Sequence, residues 1–447
     1  MLSASWSGDV SHILTAGADG TARVWDAATG RELVTLAGHA GPVRQAVWSD
    51  DGSRILTVSD DGTARVWDPA IGAELPTLTG HSSPVSQISQ SADESTILTS
   101  GSDGTARVWE AESGDELMAL SGHTGRVLQA GWNADESRIL TIDDGGTTRV
   151  WDAASGAELA TLSGHTDFVR QAVWNANETR ILTASADGTA RVWDAESGAE
   201  LLILAGHVDF VWSAVWNADE SQILTASGDG TARVWDAQTG AELTVLIGHT
   251  DRVLEATWNA DEGRILTVST DRTAIVWDAR TGAEILSLLG HTEALLSGRW
   301  NRDGTRILTA GDDRTARVWD AESGEELVTL IGHDQAIVQA VWNAEESLIL
   351  TVGGDDTTRV WDAETGVVVA ILAGHSEAVL QGIWNADESR ILTASGDGTA
   401  RQWYARMEDL LTAACQQAPR NMTLEEWQHF IGDEPYRPTC PNLPNPA

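Results

Sequence analysis

The chain repeats itself every 42 residues, ten times over. Gly-His recurs in one register from Gly38-His39 to Gly374-His375, nine times. A Trp stands at a fixed offset in all ten units, from Trp25 and Trp67 to Trp403, and Asp follows it in eight of them. This restricts the fold severely. One unit is too short to bury a core alone, so each must be covered by its neighbours. It also relocates the search for function. A chemistry needed once is not supplied by residues that occur nine or ten times, so the informative positions are those that break the repeat.

Within one unit, Val43 to Trp48 is short, apolar and partly alternating, Ile55 to Ser59 is rich in β-branched residues, and Thr63 to Trp67 and Leu75 to Leu78 follow. Ser49-Asp50-Asp51-Gly52, Asp60-Asp61-Gly62 and Pro69 to Gly72 separate them as turns. Four short strands in a meander bury both faces only when successive sheets stack around an axis. The expected fold is therefore all-β, a β-propeller over residues 1–403 with a tail at 404–447. The constant spacing favours ten blades in one ring; a seven-bladed ring with three extra blades is the alternative.

The Gly-His and Trp-Asp signatures at this period resemble the WD40-repeat family, over all of the chain but its tail. The resemblance implies a structural network in each blade, carried here by His39, Thr57 or Ser59, Asp61 and Trp67. A buried indole N–H and a buried imidazole each need a partner, and an Asp fixes the imidazole tautomer. Nine of the eleven His therefore read as structural, not as metal ligands or acid–base groups. The Thr57 position is Thr in all ten units. Asp61 is replaced by Gly145 in one unit, which reads as tolerance. Gly62 is replaced by Arg272, Arg314 and Asp356, so its turn is not expected to require a positive φ. A second Trp series, including Trp48 and Trp216, is expected between blades. Propellers of this family close by drawing the last outer strand from the N-terminus. Met1 begins in an innermost strand, so the fourth strand of the last blade is expected from the tail or is absent, unless the chain is the C-terminal part of something longer.

The formal net charge is −39, and all 28 basic residues are Arg. Such acidity repels phosphate backbones and anionic membrane surfaces, so neither nucleic acid nor membrane is an expected partner. The absence of Lys excludes a Walker-type phosphate loop, a kinase-type Lys and a Schiff base. No apolar run is long enough to span a bilayer, and Met1 to Trp6 reads as a strand, not a signal peptide. The only two Cys, Cys415 and Cys440, lie in the tail. A cytoplasmic protein with reduced thiols is expected. No catalytic residue, metal or cofactor is assigned. Turn acids such as Asp135-Glu136, Asp219-Glu220 and Asp387-Glu388 read as solvated, and the unrepeated His12 and His429 are poorly placed for catalysis.

In the tail, Met407, Leu410, Leu411 and Ala414 have helical spacing, and Thr423-Leu424-Glu425-Glu426 forms a capping box before Trp427, Phe430 and Ile431. Asp433 to Ala447 is Pro-rich and expected to be extended. The tail resembles those following bacterial WD-repeat arrays, which often belong to signalling proteins carrying an NTPase, kinase or protease. The resemblance implies a partner or further domain of that kind; capping the last blade is the simpler role.

Two sets of aligned positions vary most: the loop after Gly-His with the start of the inner strand, and the residue before the turn Asp. In the family both lie around the channel mouth, a face that commonly binds peptides. There Arg126, Phe168, Arg170, Phe210, Trp212 and Arg252 form an arc over four consecutive units, extended by Arg272 and Arg314 in neighbouring turns. Two of the three Phe sit in this arc, and Trp212 is the one Trp of the array outside the two Trp series. Aromatic and Arg residues dominate binding hot spots. The expected function is a non-enzymatic protein-protein interaction scaffold or sensor, gripping an acidic or phosphorylated protein or peptide segment. Alternatives are recent duplication with an inert array, or an enzyme using channel carboxylates. Self-association stays open.

Overall fold

The computed structural model describes residues 2–404, apart from Ala28, Ala386, Asp387, Gly398 and Thr399. The tail helices, the capping box, Cys415 and Cys440 therefore lie outside the described residues, as does any fourth strand of the last blade. Each unit forms one antiparallel meander. Blade two, for example, runs Val43–Trp48, Ile55–Ser59, Thr63–Trp67 and Glu74–Thr79, in the spatial order of the sequence. Blades one to nine have four strands; blade ten has three described ones, Val379–Trp384, Arg390–Ser395 and Ala400–Tyr404.

The ten blades form one ring, not seven plus three. The second strand of blade ten contacts the first strand of blade one, Ser3–Trp6. Ile13, Ala27 and Leu392 are buried together across that seam. Elsewhere the core is likewise assembled between blades: Leu14, Val24 and Leu36 of blade one pack on Val43, Ile55 and Trp67 of blade two, with Trp48 at the margin. Both Trp series thus lie between blades, and burying these faces is what stacking accomplishes.

Three features depart from the sequence reading. First, the turn residue that replaces Gly keeps its left-handed backbone: φ is 78° at Arg272, 69° at Arg314 and 67° at Asp356. A side chain there is strained and nonetheless present. Second, the turn acids are engaged. Glu262, at φ 58°, accepts from Asn217 Nδ2 at 3.1 Å and from the Ala218 N–H, both in the preceding blade. Glu136, Glu178, Glu220, Glu346 and Glu388 make the corresponding reach. Third, the position of Arg44 is a β-bulge. The inner-strand register skips between Val43 and Gln45, and the same skip recurs around Arg170 and Trp212. A bulge frees its side chain from the pleat and re-aims it.

Among the described residues, the seam between blades ten and one is the sparsest, with three buried hydrophobic side chains in its cluster against eleven between blades six and seven. Val10 also replaces the bridging Glu. Amides of Ser3–Trp6 are therefore expected to exchange with solvent deuterium faster than those of Val253–Trp258 under native conditions. Equal protection of the two strands would show that ring closure is as strong as any internal seam.

Candidate partner-binding face

The interior of each blade is organised around one hydroxyl. Trp67 Nε1 donates to Thr57 Oγ1 at 2.8 Å, and Thr57 Oγ1 lies 2.8 Å from His39 Nε2. His39 Nδ1 faces Asp61 Oδ2 at 3.0 Å. A carboxylate accepts only, so Nδ1 carries the proton and Nε2 accepts from the Thr hydroxyl. Thr57, not Ser59, is thus the shared partner. Ser59 Oγ instead donates to the Gly41 carbonyl and accepts from the Asp61 N–H. The His–Thr and Trp–Thr bonds recur in the other units that carry Gly-His, for instance at His207, Thr225 and Trp235.

The unit with Gly145 keeps its carboxylate by moving it. Asp143, at the position equivalent to Ser59, accepts from His123 Nδ1 at 2.9 Å. It also accepts from the N–H groups of Gly145 and Thr147. The gap at Gly145 is compensation, not tolerance. Asp143 is wholly buried, and losing it would orphan a buried imidazole. Asp143→Ser is expected to cost about 2–3 kcal/mol in urea denaturation. Adding Gly145→Asp should recover most of that loss; no recovery would refute the relocation.

Burial holds the network histidines, such as His39 and His207, below the usual imidazole range, against the raising effect of the facing Asp. Burial acts to raise Asp61 and Asp187, but hydrogen bonds from Thr63 and Thr189, among others, outweigh it and hold each at about 2. Both shifts have the same sign in linkage: the unfolded chain binds more protons. The His contribution is complete above the free-imidazole value of 6.5 and falls below it. The Asp contribution is lost as pH falls from 3.8 toward 2. Urea midpoints followed by Trp fluorescence should be level from about pH 8 to 7 and drop as pH goes below about 6. A midpoint that rises on mild acidification would contradict this.

The two variable sets of positions meet on one face. The residue before the inner strand pairs by backbone with the residue before the turn Asp: Ala186 N–H donates to the Phe168 carbonyl, Gly228 to Phe210 and Thr270 to Arg252, at 2.9–3.0 Å. Three arc residues touch. The Arg170 guanidinium carbon lies 4.9 Å from the Trp212 ring centroid, across the seam between blades five and six. Phe210 and Trp212 pack edge to face at 6.0 Å. Arg170 and Trp212 both sit on bulges, which brings them together. Phe210 is 45% exposed and its neighbour Val208 is 89% exposed, a residue the sequence reading missed. Phe168 is half-buried one blade earlier.

The Arg residues are not equivalent. Arg126 is exposed but paired, its Nε 2.8 Å from Asp144 Oδ2, as Arg44 is with Asp60. Arg252, Arg272 and Arg314 are exposed and form no ion pair among the described residues. Nor do the described residues contain a His, Cys, Asp and Glu cluster suited to a metal, or a helix long and apolar enough to cross a membrane.

The WD domain, G-beta repeat family model matches ten segments: residues 2–26, 30–68, 72–110, 114–152, 156–194, 198–236, 240–278, 282–320, 324–362 and 366–404. Among solved structures, the computationally designed Ika8 protein is similar in fold, at 24% identity, with a TM-score of 0.53. That alignment covers 84% of this chain and 100% of the designed one. No curated protein matches.

Proposed function

The chain belongs to the WD40-repeat family, a common protein-interaction scaffold, and on that premise we propose a specific site for it. The protein is a non-enzymatic scaffold or sensor that grips a partner segment on the channel-mouth face, over blades four to eight. The Arg170, Trp212 and Phe210 stack is the observation that carries this reading. It is aromatic, partly exposed and present once in ten otherwise similar blades. Trp and Arg in such a setting are the residue types that dominate binding energy.

Charge adds direction. On a surface with a net charge of −39, the exposed Arg252, Arg272 and Arg314 lie on the same side of the ring as the stack. Arg272 and Arg314 occupy left-handed positions where the other units, Asp356 excepted, have Gly. Strain retained without a structural partner is a mark of selection for something other than stability. An acidic or phosphorylated segment suits this set. A signalling NTPase, kinase or protease is the class of partner to seek.

Affinity capture with the intact chain and with a Phe168→Ala, Phe210→Ala, Trp212→Ala variant tests the site. The captured protein, repurified, should bind the variant at least about tenfold more weakly, with the variant's melting temperature close to that of the parent. Equal affinity would remove the arc from consideration, and no specific capture by either would favour an inert array. Arg272→Gly and Arg314→Gly should each stabilise the fold by about 1 kcal/mol while weakening the partner. Unchanged stability would show that the turn carries no strain.

A further inference from the structure

On the opposite face, one seam differs from all the others. The turns after the first and third strands lie at the far end of the sheet from the arc. There the second strand of one blade begins beside the last turn of the next. In four seams an Arg at this point reaches forward to a backbone carbonyl. Arg54 donates to Ala111 at 2.9 Å, Arg138 to Ala195 at 3.2 Å, Arg180 to Ala237 at 2.8 Å and Arg264 to Ala321 at 2.5 Å. Between blades one and two the Arg is His12, and the acceptor position is Pro69. The bridging Glu of that seam is Gly52 as well. Among the described seams, no other lacks both.

The result is a cleft of about 320 Å³ that reaches down to the core residue Val24. Trp48 and Pro69 form apolar walls, and Asp9, Asp50 and Asp51 line it with His12. The Pro69 carbonyl receives no hydrogen bond from a described residue. Two comparisons within the ring assign the opening to the missing Arg. Between blades five and six, where Arg180 is present, the equivalent hollow does not reach Val192. Between blades six and seven, where Gln222 replaces Arg, the hollow again reaches the core, at Val234, but Arg280 lines it. Asp9 is held ionised at about 2 by hydrogen bonds from Ser7 and Ser11. Asp51 is held there by Ser53 and Ser49.

We propose that this cleft receives the side chain of an arginine on a partner polypeptide, seated where four other seams place an Arg of their own. Its guanidinium would reach the Pro69 carbonyl, lie against Trp48 and face the carboxylates. The site is on the other face from the arc and selects the opposite charge, so it stands or falls separately from that reading.

The test uses the full chain and calorimetry with three blocked tripeptides, Ser-Arg-Ser, Ser-Lys-Ser and Ser-citrulline-Ser, at about 0.15 M salt to suppress diffuse attraction. The Arg peptide is expected to bind, the Lys peptide at least about tenfold more weakly, and the citrulline peptide not measurably. His12→Arg restores the array's own residue. It should abolish Arg-peptide binding while keeping or raising the melting temperature. Asp9→Asn, which Asn177 shows the turn accepts, should weaken binding with the fold intact. No binding by the parent chain, equal binding of the Arg and Lys peptides, or undiminished binding by His12→Arg would each overturn the proposal.

Discussion

Everything in this ring depends on one hydroxyl per blade. Thr57 Oγ1 accepts the Trp67 indole and donates to His39, which in turn is oriented by Asp61. The chain of donors ties the loop before the inner strand to the second and third strands of the same blade. It does so in a buried setting, where an unmade bond costs about 1–3 kcal/mol. Serine supplies the same donor and acceptor but lacks the β-branching that favours a strand, and valine supplies neither. That is a physical account of why the position is Thr in all ten units. With the loop held, the blade presents a fixed apolar face to its neighbour, and the ring follows.

Much of this was legible in the sequence, because repetition lets a chain serve as its own comparison. The strand boundaries, the ten blades and the His–Thr–Asp–Trp chemistry follow from positions that recur at one spacing. What was not legible involved geometry that breaks local alignment. Asp143 performs the task of an Asp two residues later, which an aligned register hides. Glu262 looked like a solvated turn acid because its partners, Asn217 and Ala218, lie one blade away. The left-handed backbone at Arg272 and Arg314 could not be inferred, since the residue type argued against it.

The arc was partly legible. Its residues were found by their departure from the repeat, but sequence treated eight side chains as one set. The structure joins Arg170, Phe210 and Trp212 through a bulge on each of two blades, and sets Arg126 apart by pairing it with Asp144. The same bulge explains why the position of Arg44, Arg170 and Trp212 varies at all. A side chain lifted out of the pleat is not required by the ladder, so the fold places little demand on it.

The Glu that seven of the ten blades extend to the preceding one has a consequence for how such chains change length. The reach always runs backward, from a unit to the one before it, across a distance of one repeat. Gain or loss of any whole 42-residue window by recombination therefore leaves every internal fastener with a partner. The joint between adjacent copies is indifferent to how many copies there are, and only the closing seam, where Val10 stands, has to absorb the new curvature. Blade number in this architecture is thus a variable that unequal crossover can adjust, with the ends of the chain as the place where each new circumference is accepted or rejected.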